Sequence, residues 1–471
     1  MLPEEFTKRM KDLLGDEYKD YEKSLEGPMI KALRLNPLKG GEAQLLDLCK
    51  GTFGDAFEPV PWEPNGYYYP VDDTLRPGIS PLHEAGAYYI QEPSAMKPVT
   101  CLDVKPGLKV LDLCAAPGGK SSQIAGYMQG RGLLVCNEPV GKRASILSSN
   151  IERMGIKNAL VLNETPERLR DRFAGFFDRI LVDAPCSGEG MFRKNEEEAL
   201  REWSLQNVAM CAARQGQILD DAAFMLKAGG LMVYSTCTFS HEEDEGCIEG
   251  FLKRHPDFDL ITQEKLFPHK VKGEGHFMAV LGKGYKEDYI CADADSGAVK
   301  SSPVKNKGRG KDKDKNKAGD LKLEAYDDFC RDMFGERLRD DEEHAGGLTF
   351  FGDNLYLLPD DAPDLFGLKV QRPGLQLGSL KGDVRKGFRF EPSHALALAL
   401  KKDETKKSVN ITSREAENYI QGMTLTSDSS LSGWVLVCVE GLSLGWGKLV
   451  NGVIKNHYPK GIRRNLSAKQ I

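Results

Sequence analysis

Two cysteines stand where this sequence can do chemistry. Cys186 lies in Asp183-Ala-Pro-Cys-Ser-Gly-Glu-Gly190 and Cys237 in Tyr234-Ser-Thr-Cys-Thr-Phe-Ser240. Each directly follows an apolar run that reads as a buried strand, Arg179-Ile-Leu-Val182 and Leu231-Met-Val233. A thiol at the carboxyl end of a parallel strand lies at the rim where open α/β sheets bind ligands. Two such thiols on neighbouring strands would be a nucleophile and a helper in one pocket. The competing reading is two small buried apolar residues, the usual state of free cysteine. The polar residues around each thiol and a third segment, Asp112-Leu-Cys-Ala-Ala-Pro-Gly-Gly-Lys120, favour chemistry.

That segment falls between a strand and a helix, where ligand polar groups meet backbone N–H groups. Gly118 and Gly119 remove side chains, so the sequence predicts close backbone approach to a ligand. Glu138 follows Gly119 by nineteen residues and ends the next strand, placed to accept hydrogen bonds from ribose hydroxyls. Together these point to an adenosine-containing cofactor. Gly119-Lys-Ser121 imitates the end of a phosphate-binding loop, but the first glycine that loop requires is replaced by Cys114, and Pro117 removes a donor. S-adenosylmethionine, which carries no phosphate, is the cofactor that fits.

The elements that must position these groups are legible as alternating strands and helices over residues 101–284, a doubly wound, Rossmann-like parallel sheet of the α/β class. The predicted strands are Lys109–Leu113, Leu133–Cys136, Ala159–Leu162 and the two that end on the cysteines, with His276–Leu281 closing the sheet. A helix starting at Pro139 shows Val140, Ala144, Leu147, Ile151 and Met154 on one face, with Gly155 beyond. Ser240 and Glu243 form the pattern of a capping box opening the last helix. Residues 1–100 read as a smaller α+β extension. Residues 285–320, including the lysine-rich Lys305–Lys317, read as a flexible linker. Residues 321–390 read as an intermediate α/β segment and 391–471 as a compact β-rich domain. From Gly441 to Ile471 there are six Lys/Arg and no acid, a candidate phosphate-facing surface or an exposed basic tail.

The 471 residues carry a net charge of −6, which neither supports nor excludes nucleic acid. The start lacks a basic-then-apolar signal pattern and no apolar run approaches about 18 residues, so a cytoplasmic protein without membrane association is expected. Eleven cysteines without a Cys-x-x-Cys pair predict neither a disulfide framework nor a metal site. Nothing demands more than a monomer.

The chain resembles the RNA cytosine-5 methyltransferases of the Sun and RsmF type. The resemblance rests on Gln91-Glu-Pro-Ser94, Asp112–Lys120, Asp183–Gly190, Tyr234–Phe239 and Gly273-Glu-Gly-His276. Gly445-Trp-Gly-Lys448 and Lys455-Asn-His-Tyr-Pro-Lys-Gly461 resemble a PUA-like RNA-binding domain, and the resemblance implies that this domain, residues 391–471, and the N-terminal extension, residues 1–100, hold the RNA. The resemblance implies that Cys237 adds to carbon 6 of cytosine, making carbon 5 nucleophilic toward the methyl donor. It implies that Cys186 helps release the product. Asp183 would hydrogen-bond or protonate the ring at N3, with Lys120 in support. Cofactor contacts would come from Cys114, Ala115, Ala116, Pro117, Gly118, Gly119, Lys120, Glu138 and Asp183. Many family members place an Asp where this chain has Thr165, so Thr165 or Glu164 would contact the adenine. Arg193-Lys194 is a candidate phosphate contact or a solvated helix start. Ribosomal RNA, naked or in a particle, is the expected substrate. The alternatives are a tRNA enzyme, or a non-catalytic RNA-binding assembly factor on the same scaffold.

Overall fold

The computed structural model describes residues 2–70, 75–193, 200–284, 313–335 and 347–464. Its centre is an eight-stranded sheet. From one edge the strands run Phe258–Leu266, His276–Lys283, Leu226–Thr236, Phe177–Asp183, Lys109–Asp112, Leu133–Asn137, Ala159–Leu162 and Val370–Arg372. The strands from Leu226–Thr236 across to Ala159–Leu162 pair in parallel. The chain winds outward in both directions from Lys109–Asp112, so the sheet's switch point lies at that strand's carboxyl end.

Side chains alternate across this sheet with the two-residue strand period. Val110 and Leu181 pack with Ile124, Leu147 and Ile151 of the helices Gly119–Met128 and Gly141–Arg153. Leu111, Ile180 and Val182 point the other way, onto Leu219, Ala222, Ile248 and Phe251 of Leu205–Met225 and Glu245–Arg254. Both faces are thereby covered, as apolar parallel strands require.

Both edges depart from the expected sheet. His276–Lys283 runs antiparallel to Leu226–Thr236 and does not close the sheet, because the hairpin strand Phe258–Leu266 pairs outside it. At the far edge Val370–Arg372 pairs antiparallel with Ala159–Leu162. Two helix expectations also need correction. Val140 is the N-cap residue of Gly141–Arg153 and is 49% exposed, while Ala144, Leu147, Ile151 and Met154 are buried as the periodicity predicts. The Ser240/Glu243 capping box does not form: the helix begins at Glu245 with no side-chain cap, and the Glu243 carboxylate serves the site described below.

Residues 285–312 of the expected linker lie outside the described residues. From Lys313 the chain is helical to Met333, so the expected flexible stretch ends earlier than 320.

The N-terminal extension is an antiparallel sheet of Glu58–Pro59, Gly66–Tyr68, Ala32–Leu35 and Tyr88–Ile90. Beyond the linker, Leu348–Phe351, Asn354–Leu357, Leu375–Asp383 and Gly387–Pro392 form one sheet. Ser408–Ile411, Gly433–Val439, Leu442–Val450, Val453–Asn456 and Leu425–Thr426 form another. These last strands share a hydrophobic core with the N-terminal extension: Leu33, Tyr67 and Tyr88 pack in one cluster with Tyr419, Val437, Leu444 and Tyr458. The C-terminal part is therefore docked, not tethered. At a second contact Gly155 takes φ +69, and a Cβ there would lie 2.5 Å from the Leu398 carbonyl oxygen, so glycine is required where the domains meet. Among the described residues no helix is long and apolar enough to cross a membrane.

Candidate active site

A cavity of about 380 Å³ opens at the switch point, within the usual range for small-ligand sites. Its wall includes Cys114, Ala115, Ala116, Pro117, Gly119, Lys120, Asp183 and Cys237, so most of the residues expected to act are gathered on one surface. Gly118, Glu138, Thr165 and Cys186 are not on that wall. Gly118 takes φ +112 and faces Leu147 and Asn150, so its glycine serves the backbone turn and helix packing. At Gly119 a Cβ would come within 3.1 Å of the Tyr89 ring, so this glycine admits Tyr89 of the N-terminal extension.

The two thiols meet. Cys186 Sγ lies 3.1 Å from Cys237 Sγ, and the Cys237 N–H donates to Cys186 Sγ over 3.3 Å. Their strands are neighbours, with Asp183 opposite Ser235. The contact with Cys237 and burial push the Cys186 thiol well above its ordinary pKa, so Cys186 is held protonated.

Two acids that sequence reasoning assigned elsewhere, or passed over, lace the cysteine loops together. Glu243, buried, accepts from the Ser187 N–H at 3.0 Å, from Ser187 Oγ and from Gln215 Nε2 at 2.9 Å. Glu189 accepts from the Phe239 N–H and from Trp203 Nε1, each at 3.0 Å. Ser187 Oγ and Thr238 Oγ1 lie 2.9 Å apart, and Gly190 N–H donates to the Cys237 carbonyl. A Cβ at Gly190 would meet the carbonyl oxygens of Gly275 and Cys237 at 3.0 and 3.1 Å. The loops therefore hold both sulfurs from several directions, which fixes their positions in the free protein.

Asp183 is the electrostatic centre. Lys120 Nζ lies 2.9 Å from its Oδ2, and Ser235 Oγ donates to its Oδ1 at 2.8 Å. Burial works to raise the Asp183 pKa, but Lys120 and His276 outweigh it and hold the carboxyl well below the usual range. Burial likewise opposes the Lys120 charge, and Asp183 overrides it, so the ammonium is retained more strongly than usual. Asp112 behaves oppositely. It is fully buried, its Oδ2 accepts from Ser121 at 2.6 Å, and its Oδ1 has no partner. Burial first, then Asp183, push its pKa up to about 7.

Glu138 is buried beside the cavity. Its Oε1 accepts from the Val140 N–H at 2.9 Å, and Arg143, a wall residue, reaches its Oε2 at 3.4 Å. Arg143 Nη2 also donates to the Ala116 carbonyl, tying the loop to the acid. Glu164 is committed to the fold, accepting from the Lys369 N–H at 2.8 Å and pairing with Arg168 at 2.9 Å. Thr165 is the N-cap residue of the helix Pro166–Arg172. Arg193 is neither a solvated helix start nor a free phosphate contact: its Nε pairs with Glu274 at 2.6 Å and its Nη1 donates to the Ser24 carbonyl. Lys194 lies outside the described residues.

The N-terminal extension completes the site. Arg34, 1% exposed, donates to Gln91 Oε1, to the Gly119 carbonyl at 2.9 Å and to Ser122 Oγ. Glu92 accepts from the Glu274 N–H, joining the Gln91–Ser94 motif to the Gly273–His276 motif. Among the described residues no group of His, Cys, Asp or Glu is arranged to hold a metal ion.

The sequence matches four protein families. Residues 99–288 match the 16S rRNA methyltransferase RsmB/F family and residues 2–93 the N-terminal domain of 16S rRNA methyltransferase RsmF. Residues 328–400 match the first C-terminal domain of the RsmF rRNA methyltransferase, and 406–464 the methyltransferase RsmF PUA domain. Ribosomal RNA small subunit methyltransferase F of Vibrio vulnificus is 32% identical over 477 residues, covering 98% of both chains. The protein of that name from Erwinia tasmaniensis is 31% identical over 488 residues, covering 98% of this chain and 97% of its own. Among solved structures, a methyltransferase homolog from Pyrococcus horikoshii is 28% identical with a TM-score of 0.53, over 59% of this chain and 94% of its own. NSun6 from Pyrococcus horikoshii shares the fold, at 22% identity and a TM-score of 0.53, over 60% of this chain and 99% of its own.

Proposed function

Because this chain belongs to the ribosomal RNA small subunit methyltransferase F family, we propose that it methylates carbon 5 of a cytosine in 16S ribosomal RNA, with Cys237 as nucleophile. The observation that carries this reading is the pair of sulfurs 3.1 Å apart beside the cavity at the switch point.

S-adenosylmethionine would supply an electrophilic methyl group on a sulfonium. The residues present fit it. The orphaned Oδ1 of Asp112 is a buried acceptor without a partner, which suits an ammonium group. The loop from Cys114 to Lys120 presents backbone at the cavity wall for a carboxylate. Glu138, with Arg143 displaced, offers a carboxylate to ribose hydroxyls. Thr165 and Glu164 are away from the wall, and we assign neither to the adenine.

At the base, the Cys237 thiolate forms a bond to carbon 6, and the displaced electron pair makes carbon 5 nucleophilic. Negative charge builds on the ring, and Lys120 faces it as a fixed cation. Asp183 is ionised and so can neither hand a proton to N3 nor donate to it; the carboxylate can accept a hydrogen bond from the exocyclic amino group of the base. Once carbon 5 is methylated, its proton passes to solvent water, the C–H electron pair restores the ring double bond, and the C6–S bond breaks to return the Cys237 thiolate. Cys186, protonated and touching the departing sulfur, can donate a hydrogen bond to the leaving thiolate. An assembly factor would have no use for this arrangement of two thiols, a buried ion pair and an orphaned acid.

RNA contacts outside the pocket would come from exposed Lys448, Lys455 and Lys460. Of the other cations in that acid-free stretch, Arg463 caps the Tyr458 carbonyl, Arg464 pairs with Glu84 at 2.8 Å, and Lys469 lies outside the described residues. One chain carries every group named, so the proposed activity needs no second copy, and a monomer acting in the cytoplasm is part of the proposal. The test is transfer of labelled methyl from S-adenosylmethionine to 16S rRNA, with tRNA in parallel. Transfer to 16S rRNA at cytosine carbon 5 is expected. Transfer to tRNA alone, or to neither, contradicts the reading.

The Asp112 assignment makes cofactor affinity depend on pH. An ammonium ligand favours the ionised carboxylate, and the free protein holds Asp112 at about 7. Affinity should therefore be constant above that value and fall about tenfold per pH unit below it. Calorimetric titration between pH 5.5 and 8.5 checks this, with Asp112→Asn expected to bind weakly and without the pH trend. A constant dissociation constant in the unmodified protein across that range would remove Asp112 from the cofactor site.

A further inference from the structure

We propose that His276 is a positioning residue of the base pocket, completing with Lys120 and Ser235 the set of groups that aim the Asp183 carboxylate at the target base. The proposal rests on the function read above and adds to it a residue not so far given a role.

His276 opens the strand His276–Lys283 and is 4% exposed. It stands on the cavity wall, and its Nε2 has no hydrogen-bond partner. That nitrogen lies 3.6 Å from Asp183 Oδ1, just beyond hydrogen-bond reach. Leaving a buried ring nitrogen unpaired is unfavourable, and such orphans concentrate where a ligand supplies the partner. The three neighbours of Asp183 come from three elements. Lys120 is on the helix Gly119–Met128, Ser235 on the strand Leu226–Thr236 and His276 on its antiparallel partner. A small shift of the carboxylate upon base binding closes the gap to Nε2.

Charge decides the form of the ring. Burial and then the Lys120 ammonium lower its pKa, while Asp183 and Glu92 raise it less, and the net shift is downward. The other charged groups facing it are committed. Glu92 accepts from the N–H groups of Ser94, Ala95 and Glu274, and Glu274 pairs with Arg193. The other titratable groups on the wall are Tyr89, Asp112, Cys114, Arg143 and Cys237. The imidazole is thus neutral near pH 7. A neutral ring can hydrogen-bond Asp183 without competing for it as a second cation would. Protonated, it would form an ion pair with Asp183 and draw the carboxylate from the base. Activity should therefore carry an acid limb belonging to His276, about tenfold per pH unit below its pKa.

The experiment compares His276→Gln and His276→Phe with the unmodified enzyme, measuring kcat and KM for 16S rRNA from pH 5 to 8 at saturating S-adenosylmethionine. Gln keeps a hydrogen-bonding group and cannot titrate; Phe keeps bulk alone. We expect His276→Gln to hold kcat within about threefold at pH 7.5 and to fall less steeply with acid than the unmodified enzyme. His276→Phe should lose at least about tenfold in kcat with KM changed less than about twofold. If Phe matches the unmodified enzyme, or if Gln fails as badly as Phe, the proposal is overturned. Nuclear magnetic resonance titration of His276 in the unmodified protein needs no variant. A ring that titrates below pH 6.5 is expected, and one still charged at pH 7.5 also overturns the proposal. Absence of methyl transfer by the unmodified enzyme is a different failure, and it falls on the function itself.

Discussion

Replacing Cys237 by alanine should reduce methyl transfer to 16S rRNA by at least about 10³-fold, the loss expected when a covalent nucleophile is removed. The other thiol on the wall, Cys114, belongs to the cofactor loop, and burial pushes its pKa up and keeps it protonated. Cys186 is the nearest sulfur, 3.1 Å away, and although its contact with Cys237 is lost in this variant, its burial remains and keeps it a thiol, a poor nucleophile. Cofactor affinity should stay within about twofold, because the Cys114–Lys120 loop, Asp112 and Glu138 are built on other strands. Folding should also survive, since Ser187, Glu189 and Glu243 keep the loop hydrogen bonds. Rapid-quench transfer assays beside calorimetric cofactor binding separate these effects. Retention of more than about a tenth of the activity with normal binding would move the nucleophile to another residue.

Tyr458→Ala should destabilise the fold by about 3–5 kcal/mol. Tyr458 is 2% exposed and lies in the core that the C-terminal part shares with the N-terminal extension. Its ring packs edge-on against Tyr419 at 5.5 Å and His394 at 5.0 Å, and its hydroxyl donates to Glu84 Oε2 at 3.0 Å. Truncation opens a cavity at the joint and strips one donor from a buried carboxylate. Tyr458→Phe isolates the second effect and should cost about 1–3 kcal/mol, with Arg464 still paired to Glu84. Denaturant unfolding measures both. A loss below about 1 kcal/mol for the alanine variant would mean that the two ends of the chain do not form one cooperative unit.

The central strands, the glycine-rich turn and the two thiols were legible in the sequence because each depends on local pattern. Apolar runs, a strand-to-helix turn and motif residues at strand ends all lie within short windows. What was misread depends on partners far along the chain. Glu243 fits a capping box locally, yet its carboxylate turns to Ser187, fifty-six residues away. Val370–Arg372 is too short to announce itself and becomes a strand by pairing with Ala159–Leu162. Arg193 follows the Gly-Glu-Gly turn like a surface cation, but Glu274 and Ser24 bury it. Arg34 carried no motif at all, and its role at the Gly119 carbonyl comes from the docking of the N-terminal sheet. The joint between the chain's two ends was invisible because apolar periodicity says which face is buried, not against what.

Cys186→Ala tests the covalent route most directly. Cys186 touches Cys237 and, in this account, eases departure of its sulfur once carbon 5 is methylated. Removing it should leave addition and methyl transfer intact and slow release. Incubated with 16S rRNA and S-adenosylmethionine, the variant should accumulate a protein–RNA adduct that survives denaturing electrophoresis, depends on the cofactor and disappears when Cys237 is also replaced. Full turnover without adduct would remove the release role, and an adduct persisting in the double variant would contradict the assignment of Cys237 as the nucleophile.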